Sequence, residues 1–87
     1  MTWNSIISFT EKNVPYRYRV TTKTSPNSIQ CRVDVEELDE LDVKTGEFDF
    51  VYDLEQNIPL ADYKLHEKPI DSLLTQMLAL NDDPQTW

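Results

Sequence analysis

The stretch Glu47–Leu54 reads EFDFVYDL and alternates large apolar side chains with mostly acidic ones. A period of two residues is typical of a β-strand that is buried on one face and solvated on the other. The buried face would carry Phe48, Phe50, Tyr52 and Leu54. The solvated face would carry Glu47, Asp49, Val51 and Asp53, with Glu55 continuing the row. We predict that this strand is central to an antiparallel sheet.

The same strand belongs to an acidic stretch, Asp34–Glu55, which contains ten carboxylates and a single base, Lys44. The stretch therefore has a net charge of −9, whereas the whole chain of 87 residues has −8. Because everything outside the stretch is close to neutral, the acidity is local. It predicts a docking surface for a basic partner, made of Asp34, Glu36, Glu37, Asp39, Glu40, Asp42, Glu47, Asp49, Asp53 and Glu55.

The acidic residues of the strand would form a ladder of negative charge, because alternate strand residues lie about 6.6 Å apart. Such a ladder resembles a nucleic-acid backbone in sign and approximate spacing, although DNA carries about one charge per 1.7 Å of axis. A solvated acidic face that only keeps the protein soluble is the plainer alternative. Weak attraction of metal ions is a third alternative.

Two more strands are indicated by alternation at Tyr16–Thr22 and Ser28–Val35, with a turn around Pro26 between them. They would form an antiparallel hairpin whose polar face carries Arg17, Arg19 and Arg32. We expect these arginines to pair with acids of a neighbouring strand, and an anion site is the less favoured alternative.

The alternation fails at Glu36–Glu37, which predicts a bulge or the end of the strand. Residues 36–42 are compatible with one helical turn, or with an extended chain that leads to a tight turn at Lys44–Gly46.

Two helices are predicted at the ends of the chain. Trp3, Ile6 and Ile7 fall at helical spacing after Thr2, which favours a helix at Trp3–Lys12. The β-branched pair Ile6–Ile7 supports the alternative, a strand at residues 6–10. In the second helix, which Pro69 opens and Asn81 ends, an apolar stripe is formed by Ile70, Leu73, Leu74, Met77 and Leu78.

These elements predict a single α+β domain over residues 1–87. It would contain a small antiparallel sheet of three to four strands, a C-terminal amphipathic helix packed on the sheet and a short N-terminal helix. Residues 56–68 are expected to be irregular, and residues 82–87 to form a frayed tail.

No catalytic, cofactor or metal site is predicted. A calcium loop with Gly46 at its sixth position would place Leu41 and Thr45 where carboxylates are required. Zinc and nucleophilic catalysis are disfavoured, because Cys31 and His66 are the only residues of their types. We expect Cys31 to be a small buried strand residue and His66 to be an ordinary loop residue.

The single cysteine and the lack of a signal peptide favour a reducing compartment, the cytoplasm. The negative charge disfavours direct binding to nucleic acid or to anionic membranes. In size and charge the chain resembles the small acidic inhibitors of phages and mobile elements, such as anti-restriction and anti-CRISPR proteins. That resemblance rests on composition and implies a non-enzymatic DNA mimic that occludes a basic, nucleic-acid-binding protein surface.

Two other functions stay open at this point. One is an immunity- or antitoxin-like protein that neutralises a basic nuclease, which the same physics would support. The other is a structural or assembly subunit that uses the C-terminal helix and Trp87.

Overall fold

The computed structural model describes residues 2–59 and 68–87, which form five antiparallel strands followed by one α-helix. The strands are β1 (Thr2–Glu11), β2 (Val14–Thr24), β3 (Gln30–Leu38), β4 (Lys44–Asp53) and β5 (Ile58–Pro59), and they are neighbours in chain order. Helix α1 spans Ile70–Leu80, and a 3₁₀ turn, Pro84–Thr86, follows it. The predicted combination of an antiparallel sheet with a C-terminal helix is confirmed. The predicted count of three to four strands is wrong.

The predicted N-terminal helix at Trp3–Lys12 is also wrong, because this segment forms β1, our alternative interpretation. β1 pairs with β2 through a two-residue turn in which Lys12 and Asn13 have φ angles of 51° and 64°. Positive φ at both central residues is what this type of hairpin turn requires, and asparagine adopts it readily. Asn13 is therefore part of a hairpin turn.

The central strand of the sheet is β3, which corrects our prediction for Glu47–Leu54. β1 adds a strand beyond β2, so that β3 lies in the middle of the order. β3 pairs with β4 along the length of β4. β5 pairs only with the last two residues of β4, Tyr52 and Asp53. The register shifts between Glu37 and Leu38, which confirms the predicted bulge.

The core lies between the sheet and α1. The inner face of the sheet, defined as the side towards α1, buries residues of β2, β3 and β4, among them Val20, Val33 and Phe50. From α1 the predicted stripe contributes Ile70, Leu73, Leu74 and Met77, with Leu78 partly buried. Each large side chain of this kind stabilises the fold by about 1.5–3 kcal/mol. The stripe and its role are therefore confirmed.

Helix α1 ends where the sequence predicts, at Asn81, whose N–H donates to the carbonyl of Met77 at 2.9 Å. In the part of the chain that the structure describes, no helix is long and apolar enough to cross a membrane. The predicted irregular segment 56–68 lies largely outside the described residues.

The predicted frayed tail at residues 82–87 is wrong, because Trp87 is fully buried. Its indole ring lies 6.3 Å from the ring of Trp3 and 5.3 Å from that of Tyr52, measured between centroids. The indole N–H donates to the carbonyl of Asn81 at 3.0 Å, and the hydroxyl of Thr24 donates to the main-chain oxygen of Trp87 at 2.8 Å. These contacts join the end of the chain to three strands of the sheet.

Replacing Trp87 with alanine should therefore destabilise the fold by about 3–5 kcal/mol, the usual cost of removing a buried aromatic ring. Leu80→Ala is the control, because Leu80 lies at the end of α1, off its apolar stripe, and is 59% exposed. Its effect should stay within about 0.5 kcal/mol. Urea unfolding followed by circular dichroism measures both values. Similar midpoints for the two variants would contradict the packing described for Trp87.

Candidate docking surface

The side of the sheet that faces away from α1, here called the outer face, collects charges from three strands. Strand pairing sets Arg19 of β2 beside Glu36 of β3, and Glu36 beside Glu47 of β4. One row further along, Asp34 of β3 lies directly opposite Asp49 of β4. The predicted alternation thus places acids and bases together on one surface.

Two pairs of carboxylates face each other across β3 and β4, and each pair is bridged by one base. Arg32 lies 3.1 Å from Asp34 and 2.7 Å from Asp49, measured between nitrogen and oxygen. Lys44 lies 3.0 Å from Glu47 and 3.7 Å from Glu36 in the same way. Like charges directly opposite each other destabilise a sheet, so the two bases remove a repulsion that the register creates.

The arginines of β2 also pair with acids, as predicted. Arg19 donates to Glu36 at 2.9 Å, and this hydrogen bond lowers the pKa of the Glu36 carboxyl. Arg17 forms a two-point ion pair with Asp42, which lowers the pKa of that carboxyl and raises the pKa of the guanidinium. The predicted pairing with an acid of a neighbouring strand is therefore confirmed for Arg19, whereas Arg17 pairs with an acid of the segment between β3 and β4.

Glu37 lies on the inner face, away from the other acids of the predicted surface. It pairs with Tyr18 in the register, and its carboxylate is 2.6 Å from the ammonium group of Lys68. Lys68 also lies over the ring of Phe48, 5.3 Å from its centroid. Gly46 leaves room for this carboxylate, since a Cβ atom there would come within 2.8 Å of it.

Asp53 is not on the solvated face, which corrects the predicted row. It is only 6% exposed, and its carboxylate accepts hydrogen bonds from the N–H groups of Glu55 and Gln56, both at 2.9 Å. Asp39 has a similar local role, because its carboxylate accepts from the N–H groups of Leu41 and Val43. Aspartate commonly holds turns in this way.

The remaining two predicted acids, Glu40 and Glu55, are exposed and form no ion pair with any residue the structure describes. Glu40 belongs to the β3–β4 loop, residues 39–43, whose apolar side chains point into solvent. Leu41 is 84% exposed and Val43 is 56% exposed. Leu41 was not predicted to be exposed, although its place between Glu40 and Asp42 was a usable signal.

No group of three or more histidine, cysteine, aspartate or glutamate side chains among the described residues is arranged to hold a metal ion. Cys31 is fully buried in β3, as predicted, and burial raises the pKa of its thiol. His66 lies outside the described residues.

The bridging role of Arg32 predicts that Arg32→Ala lowers the midpoint of urea unfolding, because Asp34 and Asp49 are then opposed without a base. The loss should shrink at high salt, where exposed charges are screened. It should also shrink when Asp34→Asn is added, since that change removes one of the two opposed carboxylates.

Lys23→Ala is the matched control, because Lys23 is the neighbour of Arg32 on β2 and forms no ion pair with the described residues. It removes the same charge and should leave the midpoint almost unchanged. Strictly additive effects of Arg32→Ala and Asp34→Asn would contradict the bridge.

No family model matches the chain. No curated protein and no solved structure matches it either.

Proposed function

We propose that this protein is a non-enzymatic binding protein whose acidic β3–β4 hairpin docks on a basic protein surface and occludes it. The partner surface is of the kind with which proteins bind nucleic acid, so docking would exclude nucleic acid from the partner. The protein itself contacts neither nucleic acid nor membranes in this proposal, since its negative charge is repelled by both.

The observation that supports the proposal is the excess of carboxylates that remains after every ion pair among the described residues is counted. Residues 30–53 contain nine carboxylates and two bases. Three bases from outside the hairpin also pair with its acids, namely Arg17, Arg19 and Lys68. Nine carboxylates against five bases leave a net charge of −4. Such an excess attracts a basic surface and accelerates the encounter with it.

The proposed likeness to nucleic acid is one of charge sign, since the acids do not form a regular row. Arg32 and Lys44 interrupt the ladder expected along β4, and Asp53 is buried. Of the acids of the hairpin that form no ion pair with the described residues, only Asp39 and Glu40 are exposed, and both lie in the β3–β4 loop. We therefore assign the main contact to the loop and to the neighbouring exposed residues Glu47 and Asp49.

The alternative of an assembly subunit has less support, because the residues that it would use for assembly are buried within this chain. The stripe of α1 and Trp87 are buried in the core of this chain, so neither is exposed to a second protein. An immunity- or antitoxin-like protein would use the same acidic hairpin, and the identity of the partner would distinguish it. The cytoplasm remains our proposed location, based on the single cysteine.

The test compares two variants that change the net charge equally. One carries Glu40→Lys and Glu47→Lys on the hairpin, and the other carries Asp71→Lys and Asp82→Lys, which are exposed elsewhere. Each protein is immobilised to capture a partner from a lysate of the source organism at about 50 mM salt. The recovered partner is then loaded with fluorescent duplex DNA, and displacement of the DNA is followed by anisotropy.

Wild type and the Asp71/Asp82 variant should capture a basic partner and displace the DNA. The Glu40/Glu47 variant should bind the partner about tenfold more weakly or worse, and wild-type binding should weaken as salt increases. Circular dichroism confirms that both variants are folded. Equal affinity of the two variants would contradict the proposal, as would a partner whose DNA is never displaced.

A further inference from the structure

An open groove lies between the β1–β2 hairpin and the β3–β4 loop, at one end of the sheet. Its volume is about 800 Å³. Its apolar lining includes the rings of Phe9 and Tyr16, which stack with centroids 5.4 Å apart, together with Pro15, Leu38 and Leu41. A concave apolar surface beside an exposed leucine is the usual form of a site that accepts a partner side chain.

The loop that forms one wall of this groove is held by its own hydrogen bonds. The carboxylate of Asp39 accepts from the N–H groups of Leu41 at 2.8 Å and Val43 at 2.9 Å. The N–H of Asp39 donates to the carbonyl of Val43 at 3.0 Å. Asp42, with a φ angle of 62°, is anchored by its ion pair with Arg17. Leu41 is therefore fixed in an exposed position, and little ordering would be needed on binding.

The polar groups at the groove leave it negative. Arg17, the base in its lining, is already paired with Asp42. Glu40 contributes a carboxylate that has no ion pair with the described residues, and Asp39 contributes a second one. A cation next to an apolar group would therefore find complementary partners there. A nucleic acid or a second copy of this chain would instead bring more negative charge to the groove.

We infer that this groove is the anchor point for the basic partner and accepts a peptide segment in which an apolar side chain lies next to lysine or arginine. The apolar side chain packs against Leu41 and Tyr16, and the cation pairs with Glu40. The inference rests on the proposed function and adds the position and the chemistry of the main contact. In this arrangement, the apolar contact slows dissociation of the partner, and the carboxylates accelerate its association.

The probe for this inference is the blocked peptide Lys-Leu-Lys-Leu-Lys, compared with Lys-Ser-Lys-Ser-Lys. Both are titrated into ¹⁵N-labelled protein at about 50 mM salt, and amide shifts are followed by NMR. The leucine peptide should shift the amides of Thr10, Tyr16 and Leu41. Leu41→Ser should weaken its binding about tenfold, in keeping with the loss of one buried leucine contact. Leu80→Ser, which changes another exposed leucine, on α1, should alter the affinity less than about twofold.

Several outcomes would overturn the inference. One is equal affinity of the protein for the leucine and serine peptides, which would mean that charge alone is recognised. Another is unchanged affinity in Leu41→Ser, or the absence of shifts around the groove at millimolar peptide. A concentration-dependent dimer that Leu41→Ser abolishes would assign the groove to a second copy and also overturn it.

The failure of this inference differs from the failure of the proposed function. If Leu41→Ser still captures the partner while Glu40→Lys with Glu47→Lys does not, the groove is wrong and the function stands. If the leucine peptide binds in the groove but no captured protein releases DNA, the function is wrong and the groove stands.

Discussion

The pairing of β3 with β4 places like charges directly opposite each other, and the strand register determines which bases lie between them. It sets Asp34 opposite Asp49 and Glu36 opposite Glu47 on the outer face, where Arg32 and Lys44 lie between the members of each pair. The same register sets buried residues of β3 opposite buried residues of β4 on the inner face. A shift of one strand by one residue would exchange its inner and outer faces. The packing of the core and the pairing of the charges therefore depend on the same register.

Negative charge is less well balanced in the β3–β4 loop than along the strands. The strands carry bases close to most of their acids, whereas the β3–β4 loop contains three carboxylates, of which only Asp42 has an ion pair with the described residues. The same loop holds Leu41 in solvent through hydrogen bonds to Asp39. Exposed ion pairs contribute little to stability individually, but those on the strands leave less uncompensated charge there than in the loop region. A basic partner would be drawn to that region first.

Much of this could be read from the sequence, because β2, β3 and β4 follow a clear period of two residues and α1 a clear helical stripe. The N-terminal segment could not, since Trp3, Ile6 and Ile7 fit a helix while Trp3, Ile7 and Phe9 also share one face of a strand. The turn at Lys12–Asn13 resolves that ambiguity. Trp87 was missed because its burial depends on Trp3 and Tyr52, which are distant in sequence. Asp53 was predicted to be solvated, but its carboxylate accepts hydrogen bonds from the turn directly after β4.

Hydrogen exchange of the protein, alone and bound to its captured partner, tests the central claim most directly. If the acidic end of the β3–β4 hairpin is the docking surface, amides of residues 38–43 and of the adjoining β1–β2 hairpin should exchange more slowly in the complex. Amides of α1 should be unaffected, because its apolar stripe packs within this chain. Protection confined to α1, or to the turn at residues 24–29, with none in the loop, would contradict the account.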